Sequence, residues 1–308
     1  GHFQKSSKED VEYAVEGALK AQEEWSKTPS PVRGKMLIKA ANILEKMKEE
    51  LTRTLTREEG KTLSESEPEV QRAIDIFYYY GSKARDLGGV VKSPSGKDKR
   101  LFTKNEPLGL VGTITPWNYP IAIPAWKIAP ALATGNTVLF KPASLAPNVS
   151  RKMVKALIKG GIPDGVINYI TGPGSEIGAS IATHQNVDAV SFTGSLKVGN
   201  KVYKQATDTG KRVQTEMGGK NPALITNSAD IEDAVDIVTN GAFGVTGQAC
   251  TATSRAIVHE DIYDEFLEEI SKKAEQINIG PGLEDYEMGP KVSERELENT
   301  IDYINIGL

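Results

Sequence analysis

The sequence predicts an α/β protein: a doubly wound parallel sheet joined to a second α/β domain. Three observations carry this. From residue 108 onward, short β-branched runs alternate with amphipathic segments, the pattern of a parallel sheet with helices on both faces. The chain has 308 residues, and beyond roughly 250–300 residues a single core stops growing, so two domains are the default. Charged residues make up 25% and hydrophobic residues 39%, an ordinary globular balance without the signature of a disordered tail.

Residues 8–59 carry apolar side chains at helical spacing: Val11, Val15, Ala18 and Leu19, then Leu37, Ile38, Ala41, Leu44 and Met47. Thr28-Pro29-Ser30-Pro31 breaks this run, and Pro31 suits the first turn of a second helix. Another amphipathic helix is expected over 69–87, stopped by Gly88-Gly89. Residues 90–105 read as two short strands around Ser93-Pro94-Ser95-Gly96, a hairpin. Strands follow at 108–114, 136–140, 166–170, 189–192, 212–217, 223–226 and 255–259, with helices at 121–134, 147–159, 175–183, 195–207, 231–243 and 262–277. In such sheets ligands sit beyond the carboxyl ends of the strands, so residues just after a strand are the ones to inspect.

Composition removes several function classes. The net charge of −4 lacks the basic footprint of nucleic-acid binding. The single cysteine, Cys250, cannot form an intrachain disulfide, so a reducing cytosol fits best. The first residues, Gly1 to Lys5, lack an apolar signal core. The most apolar stretch, Leu108 to Phe140, is interrupted by Pro116, Pro120, Pro124 and Pro130 and carries Lys127. It does not supply the roughly 20 consecutive apolar residues of a membrane span. One Cys and three scattered His offer no metal set.

Gly172, Gly174 and Gly178 miss the GxGxxG spacing, because Ile177 stands where the third glycine should be. Gly194 and Gly199 have P-loop spacing, but Asn200-Lys201 follows in place of Lys-Ser/Thr. Phe192-Thr193-Gly194-Ser195 still runs from a strand into a helix N-terminus, where free N–H groups and the helix dipole can hold a pyrophosphate. An ordinary turn with Ser195 as N-cap accounts for the same residues.

A lone cysteine is ordinarily a small buried apolar residue. Cys250 instead lies in a small-residue turn, Gly244-Val245-Thr246-Gly247-Gln248-Ala249-Cys250-Thr251, after an expected helix. A cysteine hydrolase would need a histidine partner, and His2, His184 and His259 carry no supporting motif. Glu216 ends an expected strand before Gly218-Gly219. It reads either as a surface ion-pair residue or as a general base that ligand can approach over the glycines.

These pieces resemble the aldehyde dehydrogenase superfamily. Pro116-Trp117-Asn118-Tyr119-Pro120, Lys141-Pro142-Ala143-Ser144, Phe192-Thr193-Gly194-Ser195, Glu216-Met217-Gly218-Gly219-Lys220 and Gly247-Gln248-Ala249-Cys250 stand in that family's order. The spacings from Asn118 to Lys141 and from Glu216 to Cys250 match as well. The resemblance implies a Rossmann-like nucleotide-binding domain over 1–88 and 106–217, an oligomerisation hairpin over 89–105, and a catalytic domain over 218–308. It further implies that the catalytic domain is incomplete here, since the family's later Glu-x-Phe-Gly-Pro motif is absent.

The same resemblance assigns roles. Cys250 would add to an aldehyde carbonyl, and the Asn118 amide with the Cys250 N–H would stabilise the thiohemiacetal oxyanion. Loss of hydride to a nicotinamide leaves a thioester, which Glu216 hydrolyses by activating water, giving a carboxylic acid. Lys127 matches a family lysine near the oxyanion and the base. Thr115, Pro116, Trp117, Lys141, Ala143, Ser144, Thr193, Gly194, Ser195, Gly199, Met217 and Gly218 match cofactor-binding positions. Tyr119 and Trp126 match positions lining the substrate tunnel, with core packing as the plain alternative. NAD-preferring members often carry Glu at the position of Ser144. The small hydroxyl beside Lys141 therefore points to NADP⁺ over NAD⁺.

Cys250-Thr251-Ala252-Thr253-Ser254-Arg255 resembles the run found in members acting on 2,5-dioxopentanoate (2-oxoglutarate semialdehyde). Succinate semialdehyde and glyceraldehyde 3-phosphate are the alternatives. All three aldehydes are anionic, so a cationic anchor is expected at the tunnel mouth. A cytoplasmic homodimer or homotetramer is the expected assembly. A non-catalytic nucleotide-binding fragment is the alternative of another class.

Overall fold

A computed structural model describes residues 1–308. They form two compact units, residues 1–51 with 69–216, and residues 52–68 with 217–308. The sequence grouped 52–68 with the nucleotide-binding segment. The structure groups them with 217–308, for a local reason. Leu63 N–H donates to Gly282 O at 3.0 Å. Gly289 approaches the Gly60 carbonyl so closely that an added Cβ would lie 2.0 Å from its oxygen. Only glycine permits that approach.

The first unit opens with helix α1 (Lys8–Trp25), begun by a capping box in which Ser7 and Asp10 bond each other's backbone. Pro29 stops the chain before α2 (Ser30–Lys46), and α3 (Lys48–Glu59) follows after one residue. Helix α4 (Leu63–Lys83) starts six residues earlier than its hydrophobic pattern suggested. Buried Arg33 ties this layer together. Its Nε donates to Ala133 O at 3.0 Å, and its guanidinium lies 5.9 Å from the Trp25 ring centre. The expected hairpin forms from β1 (Val91–Lys92) and β2 (Leu101–Phe102), paired antiparallel with Val91 opposite Phe102. Both residues are exposed.

Strand and helix then alternate: β3 (Leu110–Ile114), α5 (Ala122–Ala133), β4 (Thr137–Lys141), α6 (Pro147–Lys159) and β5 (Ile167–Tyr169). The helix expected at 175–183 is instead a π-turn, Gly174–Gly178, running into the short α7 (Ala179–Thr183). After it come β6 (Ala189–Gly194), α8 (Leu196–Thr207) and β7 (Arg212–Met217). The five strands lie in the order β5-β4-β3-β6-β7, and the β3–β4, β3–β6 and β4–β5 pairs are parallel. Strands β3 and β4 are buried along their whole length, as expected for a sheet covered on both faces.

In the second unit β8 (Asn221–Ile225) pairs in parallel with β9 (Thr253–Val258) across helix α9 (Ile231–Phe243), and α10 (Tyr263–Glu275) follows. Ile225, Val235, Val238 and Phe266 form the core of this layer. A further helix, α11 (Glu294–Gly307), is not among the sequence-based expectations. Ser293 caps it, its Oγ accepting the Glu296 N–H. No helix of either unit is long and apolar enough to cross a membrane.

Candidate active site

The strand order fixes where the first unit can hold a ligand. From β3 the chain moves outward to β4 and β5, then crosses back to place β6 on the other side of β3. In open α/β sheets ligands bind at such a reversal, beyond the carboxyl ends of the strands, here those of β3 and β6. The sequence-derived candidates gather at these ends. Thr115, Pro116, Trp117, Asn118 and Tyr119 directly follow β3. Lys141 is the last residue of β4, paired with Ile114, and Ala143 and Ser144 follow it. Thr193 and Gly194 end β6, Ser195 caps α8, and buried Gly199 sits in its first turn.

The local chemistry suits a dinucleotide. Thr115 Oγ1 is buried with no hydrogen-bond partner. Ser195 Oγ accepts the Val198 N–H at 3.4 Å, leaving the remaining first-turn donors of α8 for an anion. An added Cβ at Gly194 would meet the Phe192 ring at 2.6 Å, so any side chain there would have to displace the ring. The Lys141 ammonium donates to Pro142 O at 2.8 Å, and burial pushes its pKa down to about 8. Ser144 Oγ donates to Gly172 O at 3.2 Å. The residues present fit a nicotinamide dinucleotide: an unpartnered buried hydroxyl, a helix N-terminus and a buried lysine lie at the ends of neighbouring strands.

Lys127 is only 9% exposed, facing in from α5. Its Nζ donates to Ser191 Oγ at 2.9 Å. Ser191 Oγ donates to Gln214 Oε1 at 2.6 Å, and Gln214 Nε2 donates to Glu216 Oε1 at 3.0 Å. Burial pushes the Lys127 pKa down to about 8, and the Glu216 carboxylate opposes part of that shift. Two of the candidates are thus joined through Ser191 and Gln214, which belong to none of the candidate motifs. Their signal was faint: alternate positions on β6 and β7, visible only once the strands are neighbours. Trp126, beside Lys127 on α5, is 49% exposed, so core packing does not explain it. Tyr119 is half-buried.

Met217, Gly218 and Cys250 belong to the second unit. Cys250 is exposed, which removes the ordinary reading of a lone cysteine as a buried apolar residue. Its turn is unusual. Val245 (φ 53°), Thr246 (φ 57°) and Gly247 (φ 67°) are consecutive left-handed residues, closed by a bond from Gln248 N–H to Val245 O at 2.9 Å. Two β-branched residues there cost roughly 1–2 kcal/mol each. Neighbours hold the turn. Glu65 Oε1 accepts the Val245 N–H at 2.6 Å, Thr246 Oγ1 donates to Gly289 O at 3.0 Å, and Lys291 Nζ donates to Thr246 O at 3.1 Å. Gln248 donates to Glu59 at 3.4 Å and accepts from Val292 N–H at 3.0 Å. Downstream, Asn221 Nδ2 donates to Cys250 O at 3.0 Å and to Ala252 O at 3.3 Å. Glu59 forms a fully buried ion pair with Lys61 at 3.9 Å.

The chain belongs to the aldehyde dehydrogenase family, whose pattern it matches over residues 1–308. It is 57% identical over 304 residues to an alpha-ketoglutarate semialdehyde dehydrogenase of Haloferax volcanii, covering 99% of this chain and 63% of that protein. It is 43% identical over 303 residues to a 2,5-dioxopentanoate dehydrogenase of Saccharolobus solfataricus, covering 98% of this chain and 63% of that protein. Among solved structures it superposes with a TM-score of 0.96 and 37% identity on betaine aldehyde dehydrogenase of Staphylococcus aureus in complex with NAD⁺, covering 98% of this chain and 60% of that one. The chain therefore spans less than two thirds of the length of these relatives.

Proposed function

We propose that the protein oxidises an aldehyde to a carboxylic acid with NAD(P)⁺, using Cys250 as nucleophile and Glu216 as general base. The observation that carries this reading is the exposed Cys250 on its clamped turn, in a chain of this family. Bound NAD(P)⁺ would supply a hydride acceptor. The chain's own residues do the rest. The Cys250 sulfur adds to the carbonyl carbon. The oxyanion accepts hydrogen bonds from the Asn118 amide and the Cys250 N–H, one such donor being worth about 2.7–4 kcal/mol. Loss of hydride leaves a thioester on sulfur. Glu216 then takes a proton from water, which attacks the thioester and releases the acid, a step worth roughly 10²–10⁴-fold. The Lys127 ammonium, linked to Glu216 through Ser191 and Gln214, orients that carboxylate. Tyr119 and Trp126 line the substrate path in this reading.

The favoured substrate is an anionic semialdehyde, 2,5-dioxopentanoate, on the similarity to the Haloferax and Saccharolobus relatives. A purely nucleotide-binding role is disfavoured, since relatives matching nearly the whole chain are named as dehydrogenases. The protein is further proposed to be a cytoplasmic homo-oligomer, a dimer or tetramer, joined through the exposed β1–β2 hairpin. By the family resemblance its domains are read as 1–88 with 106–217 for the nucleotide, 89–105 for the hairpin and 218–308 for catalysis, with 52–68 packed into the same compact unit as 217–308. The test is formation of reduced cofactor by the intact protein with a panel of aldehydes. 2,5-Dioxopentanoate should give the highest kcat/KM, above succinate semialdehyde and glyceraldehyde 3-phosphate. Turnover of none of them would sink the proposal.

NADP⁺ is proposed as the preferred cofactor. Lys141 and Ser144 lie together beyond β4, and no carboxylate stands at position 144 to repel a 2′-phosphate. Ser144→Glu should reverse the preference by placing a negative charge there. Unchanged relative kcat/KM for the two cofactors would refute this assignment.

A further inference from the structure

We propose that Glu65 is a positioning residue for Cys250, holding the left-handed Val245-Thr246-Gly247 turn in the form that aims the thiol. The proposal rests on the reading of Cys250 as the nucleophile. Three consecutive residues with positive φ form a left-handed turn that the chain would not keep unaided, since two of them are β-branched. Such strain persists only where surroundings over-determine it. Here they do.

Glu65 occupies a structural role and a second one. Its Oε2 accepts the Thr62 N–H at 2.9 Å, while Thr62 Oγ1 accepts the Glu65 N–H at 3.3 Å, the reciprocal capping box that starts α4. A cap alone would use one carboxylate oxygen. The other oxygen, Oε1, reaches the Val245 N–H at 2.6 Å, across 180 residues of chain. That is a charge-assisted bond to the first left-handed residue of the turn. Thr246 is fixed by Gly289 O and Lys291 Nζ, and Gln248 by Glu59 and Val292. Every residue from 245 to 248 except Gly247 thus has an anchor outside the turn. Asn221 then fixes the carbonyl of Cys250 itself. The turn is anchored before and after the cysteine, and Cys250 is left exposed.

The two duties of Glu65 can be separated by mutation. Glu65→Ala removes the cap and the clamp together. Thr62→Val removes the hydroxyl half of the cap, including the Thr62 Oγ1 donation to Glu65 Oε2 at 3.1 Å, and keeps the Thr62 N–H bond to Oε2 and the Val245 bond to Oε1. Thr246→Val, nearly isosteric, deletes the bond to Gly289 and keeps the cap. Amide hydrogen exchange of residues 245–250 in the intact protein, read by mass spectrometry, reports the turn without any turnover. Stopped-flow formation of reduced cofactor reports the first chemical step. In Glu65→Ala, exchange across 245–250 should rise and the burst rate should fall, each by about tenfold or more, as for loss of a charged hydrogen bond. Thr246→Val should change both in the same sense by less. Thr62→Val should lower the melting temperature and leave both unchanged. Equal exchange at 245–250 in Glu65→Ala and Thr62→Val would overturn the clamp. Faster exchange in Glu65→Ala with an unchanged burst would overturn the positioning role. A wild-type protein with no burst on any aldehyde, yet faster local exchange in Glu65→Ala, would support the clamp and count against aldehyde oxidation.

Discussion

Replacing Cys250 by alanine is expected to abolish aldehyde oxidation while leaving the fold and dinucleotide binding in place. The side chain is exposed, so its removal buries no cavity and should change stability by no more than about 0.5 kcal/mol. Its loss removes the step on which the rest depends. An aldehyde has no hydride to give until a nucleophile has added to its carbonyl, and no other cysteine can replace this one. Removing a covalent nucleophile typically costs on the order of 10⁴–10⁶-fold in kcat. The neighbouring N–H donors and the cofactor residues remain, because they belong to backbone and to other side chains. Equilibrium binding of the dinucleotide, followed by quenching of tryptophan fluorescence, should therefore match the wild type. Retention of more than a few per cent of kcat by the alanine variant would reassign the nucleophile.

Much of this architecture is legible in the sequence because it follows from local pattern. Apolar runs such as Val138-Leu139-Phe140 and turn residues such as Gly194-Ser195 announce β4 and the β6–α8 junction without any tertiary information. The resemblance then proposes roles for Cys250, Glu216 and Asn118. Three features escape for physical reasons. The grouping of 52–68 with 217–308 depends on Leu63 meeting Gly282, a contact between distant segments with no local signal. Helix α11 does carry local signals, Ser293 as N-cap and Leu297, Ile301 and Ile304 at helical spacing, but these residues stay largely exposed, so no core contact marks it. The left-handed turn is hidden because Val245 and Thr246 are the residue types least suited to positive φ. Propensity alone would predict extended backbone there, and the bonds from Glu65, Gly289 and Lys291 override it.

Glu216→Gln is expected to separate the two halves of the reaction. The amide keeps the size of the carboxylate and can still offer an oxygen to Gln214 Nε2, now at 3.0 Å from Glu216 Oε1, so the local hydrogen bond survives. What is lost is the ability to take a proton from water. Nucleophilic addition by Cys250 and hydride loss do not need that base, so the first turnover should proceed at close to the wild-type rate. Hydrolysis of the thioester does need it and should slow by roughly 10²–10⁴-fold. The steady-state rate would then fall while a burst of about one equivalent of reduced cofactor per active site persists. Mass spectrometry of the quenched protein should show the acyl group of the aldehyde on Cys250, absent in the wild type at the same time point. Gln214→Leu offers the complementary case. It keeps the carboxylate but cuts its link through Ser191 to the Lys127 ammonium. A partial loss of the hydrolytic step with an intact burst would show that the base is held as well as present. Loss of the burst itself in Glu216→Gln would instead make Glu216 necessary for activating the thiol, and the division of labour between the two residues would have to be redrawn.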